Sequence, residues 1–440
     1  MTPKLLLNTA IALTLTLAPT AAASAAAAAP TSGPATSGPA TSGQAVTGQA
    51  AATTGAPPGT AKARLTLPAP TGRYQQLGTL SLHLVDTSRP DPWVSTVAHR
   101  ELMASVVYPA TDTAAHPLAP QFSAGVAAAL DSDVGPRYEI PPGTVDWAAT
   151  LTHAHQGAPA DLSGGPHPVV LYSPGAGDPR GWDTTLVEDL ASRGYVVVTV
   201  DHTYESSAVQ FPDGSVRRTV LTPDVVQKAI QDGTISTLLQ KVMDVREADI
   251  RFVLDQLTTP GVLPPALARA ADTHTIGMFG HSAGGFTAGT TMHDDPRIRA
   301  GINMDGPLGN NLDDGGPNLA PVAVDGLHRP FLLMGSQASD HHTFRSWEAF
   351  WDNTPGWKRD LHLRGAKHGS FTDAEVFVPQ IARQTPLPAS AVYDDIGWSD
   401  PQDTLATEQR YIAGFFDQWL KQSDTGLFDR PATGPASFIP

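Results

Sequence analysis

The 440-residue chain reads as an α/β protein, with a mostly parallel sheet and helices on both faces. Three observations predict this. Short apolar, β-branched runs alternate with helical patterns, which is how a parallel sheet with crossover helices is written in sequence. The pentapeptide Gly280-His281-Ser282-Ala283-Gly284 stands between one such run and a stretch able to open a helix. About 370 residues follow a low-complexity N-terminal portion, enough for one large domain with a substantial core.

Eight strands are expected. Thr79 to Val85 and Glu101 to Tyr108 read as an opening antiparallel pair. Pro168 to Tyr172, Tyr195 to Val200, Thr275 to Phe279, Ala300 to Met304, Phe331 to Met334 and Asp360 to Leu363 follow. Helices are expected over Trp182 to Ser192 and over Val242 to Leu257, where Ile250, Val253, Leu254 and Leu257 make one apolar stripe. A last helix carries Ile412, Phe415, Phe416, Trp419 and Leu420 on one side, a packing face. Two stretches fit this scheme poorly, 121–165, rich in Gly, Pro, Ala and Asp, and 202–236, which contains Phe211-Pro-Asp-Gly; they either border the mouth of a site or are long surface loops.

The first residues read differently. Lys4, the apolar run Leu5 to Leu17 and the small residues Ala21 to Ala29 have the order of a secretory signal, and the run is short for a membrane span. Pro30 to Ala61 is Ala, Thr, Ser, Gly and Pro, with little to bury, so a tether is expected. The expected organisation is a signal over 1–28, a linker over 29–62, a catalytic domain over 63–425 and a C-terminal tail over 426–440. Secretion, with no anchor left after cleavage, follows from that reading.

There is no cysteine, which excludes disulfides, a thiol nucleophile and Cys-ligated zinc. The formal charge is −15, from 28 basic and 43 acidic residues with no basic run, which argues against nucleic acid as a partner.

A Gly-x-Ser-x-Gly in a strand–turn–helix setting is a nucleophile elbow. The serine sits on a strained turn at the sheet edge, and the glycines let strand and helix pass close by. Ser282 is therefore the candidate nucleophile. A serine hydroxyl needs a base, and in an α/β-hydrolase fold the chain order is Ser, acid, His. Of the six histidines after Ser282, His368 stands in a Gly-rich loop after the last expected strand. His362 lies within that strand and reads as structural, while His341 and His342 read as exposed loop residues. Asp305 and Asp340 both follow strands, so either one can supply the acid. The oxyanion donors are expected from the N–H of Ala283 and, in the turn Ser173-Pro174-Gly175-Ala176-Gly177, the N–H of Ala176.

With these residues placed, the chain resembles the platelet-activating-factor acetylhydrolase family of secreted α/β hydrolases, in particular its bacterial esterase/lipase-type members. The likeness runs from about Leu65 to Leu420. It is carried by Leu80-Ser-Leu-His-Leu-Val-Asp, Pro168-Val-Val-Leu-Tyr-Ser-Pro-Gly-Ala-Gly, Val200-Asp-His202, Asp249-Ile-Arg-Phe-Val-Leu-Asp and Gly280-His-Ser-Ala-Gly-Gly. Gly301-Ile-Asn-Met-Asp305 matches the family's acid segment, and Arg364-Gly-Ala-Lys-His368-Gly-Ser-Phe-Thr-Asp373 matches its histidine segment. The resemblance thus implies Asp305 as the acid, with Asp340 its rival. Pro174-Gly175 replaces the family's more usual His-Gly.

The implied fold is an α/β hydrolase with a mostly parallel eight-stranded sheet. The implied activity is hydrolysis of short to medium acyl esters, of glycerophospholipids or acylglycerols, with no metal or organic cofactor and no obligate protein partner. A polyester depolymerase or peptidase on the same triad, or a non-catalytic binding protein of this fold, are the alternatives.

Overall fold

The computed structural model describes residues 61–440. The expected signal, 1–28, and all but the last two residues of the expected linker, 29–62, lie outside the described residues.

The strands, in chain order, are β1 (Leu77–Asp86), β2 (Arg100–Pro109), β3 (Leu118–Pro120), β4 (Leu151–Gln156), β5 (His167–Ser173), β6 (Val196–Asp201), β7 (Ala208–Gln210), β8 (Val216–Arg218), β9 (Ala271–His281), β10 (Ile298–Met304), β11 (Phe331–Gly335), β12 (Lys358–Leu363) and β13 (Ala436–Phe438). β7 and β8 form a small hairpin of their own. The rest form one sheet in the order β13-β12-β11-β10-β9-β5-β6-β2-β1-β4-β3.

The sheet therefore has 11 strands where eight were expected. All eight expected runs are present; β3, β4 and β13 extend the two edges. β4 reads Leu-Thr-His-Ala-His-Gln, with no apolar run to announce it. It is held from outside its own sequence: the buried Glu188 carboxylate accepts the main-chain N–H of His153 at 2.7 Å and of Ala154 at 2.9 Å. The segment expected as a tail supplies β13, which pairs antiparallel with β12, and the buried Phe428.

The block β6-β5-β9-β10-β11-β12 is parallel. Alternate residues along it enter opposite layers, as the strand period of two requires. Val169, Leu171 and Met278 pack with Ile250, Val253 and Leu254 of the helix Ile235–Thr258 and with Phe286 of the helix Ala283–Asp294. Val170, Tyr172 and Phe279 pack with Leu186 and Leu190 of the helix Thr184–Ser192 and with Ile412, Phe415 and Phe416 of the helix Pro401–Leu420. Truncating a fully buried ring such as Phe416 to Ala is worth about 3–5 kcal/mol in a core like this. With both faces covered, only the strand ends remain to present chemistry. The parallel strands all end on one edge, so the loops after them converge there.

Candidate active site

The elbow forms at the end of β9. Ser282 has φ 56° and ψ −123°, a conformation that costs a non-glycine residue energy and that the surrounding packing imposes. Its N–H donates to Met304 O at 2.8 Å, anchoring the turn to β10. The flanking glycines are obligatory for a steric reason. A Cβ on Gly284 would lie 1.8 Å from Ser173 O, and one on Gly280 would lie 2.3 Å from the Gly284 carbonyl carbon. The serine opens the helix Ala283–Asp294, whose first turn has no side-chain cap.

Asp305 follows β10, also left-handed with φ 58°. Its N–H donates to Met334 O at 2.8 Å, and its Oδ1 accepts from the Ser336 N–H at 2.8 Å. Its Oδ2 lies 2.7 Å from His368 Nδ1. Burial would raise this carboxyl; the hydrogen bond and charge of His368 and the Ser336 N–H instead hold it below the usual range. In the neutral imidazole with Nδ1 the donor to Asp305, His368 Nε2 carries a lone pair. That nitrogen is buried and has no partner among the described residues. No hydrogen bond joins it to Ser282 Oγ. Ser282 is 2% exposed, whereas the His368 side chain keeps 29%, making the imidazole the open member of the set.

Asp340 takes no part. Its Oδ1 accepts from the N–H groups of His342 and Thr343, closing a local turn, at 2.9 and 2.8 Å. His341, expected to be exposed, is buried. Its Nδ1 lies 2.8 Å from Asp360 and its ring stacks on Trp351, because the turn after β11 folds back over the sheet edge. His342 is exposed.

The turn after β5 brings Ala176 beside the elbow. The Ala176 carbonyl accepts from Arg137, and the Ala176 N–H has no protein acceptor among the described residues. The long stretches 121–165 and 202–236 both reach this edge. Arg137 lies against Gly177 and Ala176, Tyr138 lies against Gly369, and the Ser207 N–H donates to Gly177 O at 2.8 Å.

Several residues here escaped the reading of the sequence. His281, the variable residue of the elbow, is buried, and its Nε2 donates to the His368 carbonyl at 3.0 Å. Burial, and then the nearby His368, push its pKa well down, so it is a neutral brace. Asp178 is buried beside Arg137, at 3.7 Å. Arg246 and Asp249 are buried on the inner face of the helix Ile235–Thr258. A signal for these two existed: they interrupt the apolar stripe Val242, Val245, Ile250, Val253, where a charge needs a partner.

A cavity of about 370 Å³ lies over β1, β2, β4 and β6, lined by Gln121, Arg180, Glu188 and Asp201 among others. None of Ser282, Asp305 and His368 lines it, so chemistry rather than volume locates the site.

Among solved structures, a ferulic acid esterase from Streptomyces cinnamoneus superposes with a TM-score of 0.68 at 35% identity, over 86% of this chain and 99% of that one. A family model described as platelet-activating factor acetylhydrolase, isoform II, matches residues 148–228. A protein of Arthroderma benhamiae named probable 1-alkyl-2-acetylglycerophosphocholine esterase is 27% identical over 83% of this chain and 91% of its own length. The chain belongs to the platelet-activating-factor acetylhydrolase-like family of α/β hydrolases. It is a carboxylic-ester hydrolase. The platelet-activating factor acetylhydrolase of Cavia porcellus is 23% identical over 58% of this chain and 61% of its own length. Among the described residues no helix is long and apolar enough to cross a membrane.

Proposed function

We propose that this hydrolase works through Ser282, His368 and Asp305. His368 Nε2 takes the Ser282 proton as Oγ attacks the acyl carbonyl, and returns it to the leaving alcohol as the C–O bond breaks. Water, deprotonated by the same nitrogen, then attacks the acyl-enzyme, and the proton goes back to Ser282. Asp305 keeps Nδ1 protonated and stabilises the imidazolium. The N–H groups of Ala176 and Ala283 hold the oxyanion. One observation carries this reading: a strained serine turn shares a sheet edge with a histidine whose Nδ1 is bound to a buried carboxylate 2.7 Å away and whose Nε2 is unpaired. Purified enzyme should hydrolyse p-nitrophenyl butyrate, and Ser282→Ala should not while its circular dichroism stays native. Unchanged turnover by that variant overturns the proposal.

For substrate, we infer short to medium acyl esters of a glycerophospholipid or acylglycerol, supported by the names of the family model and the fungal relative. A hydroxycinnamoyl ester is the second reading, favoured by the 35% identity to the ferulic acid esterase. Comparing kcat/KM for a 2-acetylglycerophosphocholine and for methyl ferulate decides between them. Secretion rests on the N-terminal signal pattern, and N-terminal sequencing of the protein from culture supernatant tests it.

A further inference from the structure

Arg246 is 1% exposed, so its guanidinium must be satisfied within the protein. All five of its N–H donors find acceptors. Nε donates to both oxygens of Glu205, itself 1% exposed, at 2.9 and 2.8 Å, and Nη2 also meets Glu205. The remaining donors reach the turn after β5: Nη1 to Pro174 O at 2.7 Å and Ser173 Oγ at 3.2 Å, Nη2 to Gly175 O at 3.1 Å.

The Gly175 carbonyl shares a planar peptide unit with the Ala176 N–H, and in a trans peptide the two point in opposite directions. Whatever holds the oxygen therefore aims the N–H. The Asp178 N–H donates to the same oxygen at 3.1 Å, so two donors on the inner side fix one plane. A Pro-Gly turn without such anchors is free to rotate this peptide, since glycine opposes it little.

We propose that Arg246 is a positioning residue for ester hydrolysis: it grips the Gly175 carbonyl and so points the Ala176 N–H at the oxyanion. This rests on the reading of Ala176 as an oxyanion donor. Glu205 acts behind it, by fixing the guanidinium. Lysine cannot substitute, because a single ammonium lacks the planar fork that spans two carbonyls and a carboxylate.

The test uses two variants of the whole enzyme, Arg246→Lys and the double Arg246→Met/Glu205→Gln, the second leaving no unpaired carboxylate in the interior. Each is assayed on matched p-nitrophenyl esters and thionoesters, and with a trifluoromethyl ketone that forms a tetrahedral adduct on serine. A thiocarbonyl sulfur accepts hydrogen bonds poorly, so enzymes that stabilise an oxyanion favour the oxygen ester. Both variants should lose about 10- to 100-fold in kcat on the oxygen ester with KM within about three-fold, less than the ~10²–10³ for deleting a donor outright. The ester-to-thionoester ratio and the ketone affinity should fall by the same factor. A kcat loss with that ratio and affinity unchanged, or no kcat loss in the folded Arg246→Lys variant, overturns the inference. If Ser282→Ala retains activity, the parent reading fails instead; if it is dead while the ratio holds, only the role of Arg246 falls.

Discussion

Two Ser–His–Asp arrangements stand side by side in this molecule. One is Ser282, His368 and Asp305. The other is Ser173, His202 and Asp249, in which Ser173 Oγ lies 3.0 Å from His202 Nε2 and His202 Nδ1 lies 3.0 Å from Asp249. By hydrogen bonding alone the second is the better formed. Its three residues are each 0% exposed, however, and every polar atom in the chain of contacts is already engaged. Arg246 donates to Ser173, so that hydroxyl points its proton at His202. Arg89 and Arg100 both bind Asp249; burial opposes that charge, but Arg100 and His202 beside it hold the carboxyl far below the usual range. Burial in turn lowers the pKa of His202. The first set keeps an unpaired nitrogen, a strained serine turn and an imidazole partly open to solvent. On the proposed mechanism the first set works through the bond it has left unmade, and the buried copy serves as scaffolding under the turn that carries Ala176.

Mutation at the two serines separates the sets most widely. Ser282→Ala should lower kcat by about 10⁵–10⁶, whereas Ser173→Ala should lower it no more than about 10-fold, both read on p-nitrophenyl butyrate. Equal losses would erase the distinction drawn above. The two aspartates come next. Asp305→Asn should cost about 10³–10⁴ in kcat through the wrong imidazole tautomer, with the unfolding midpoint little changed. Asp249→Asn should act on the fold, removing about 3–5 kcal/mol by leaving Arg100 buried and underpaired, as read by denaturant unfolding.

A smaller effect concerns pH. His202 is held neutral in the fold while the unfolded chain takes up a proton below about pH 6.5. The unfolded state then binds more protons, so stability is present above that pH and is lost as pH falls toward the folded value. His202→Gln should flatten this slope, narrowing the pH 7.5 to pH 5 stability difference by at most about 2 kcal/mol in urea unfolding. A steeper slope would mean that His202 is charged in the native state. Least of all, Asp340→Asn should change kcat/KM by less than about two-fold, since its carboxylate serves only its own turn.

The sequence made the central strands legible because each is a short, mostly apolar run, as in Val169 to Tyr172 and Phe331 to Met334. The elbow was legible because its Gly-x-Ser-x-Gly spacing sits between an apolar run and a stretch able to open a helix. β4 was not, since its pairing depends on Glu188, an acid carried by a different element. The buried network was only half visible. Asp249 and His202 each lie in a segment shared with the family, but 47 residues separate them and only the folded sheet brings them together. His341 misled because a His-His pair in a loop looks exposed until Asp360 is placed beside it.

The most direct test is covalent. Wild-type enzyme is treated with a fluorophosphonate, digested and mapped by mass spectrometry, with prior heating as the unfolded control. The adduct should form on the native enzyme alone and sit on the peptide bearing Ser282. An adduct on Ser173, or native protein that takes no label while hydrolysing ester, would contradict the assignment of the open set as the catalyst.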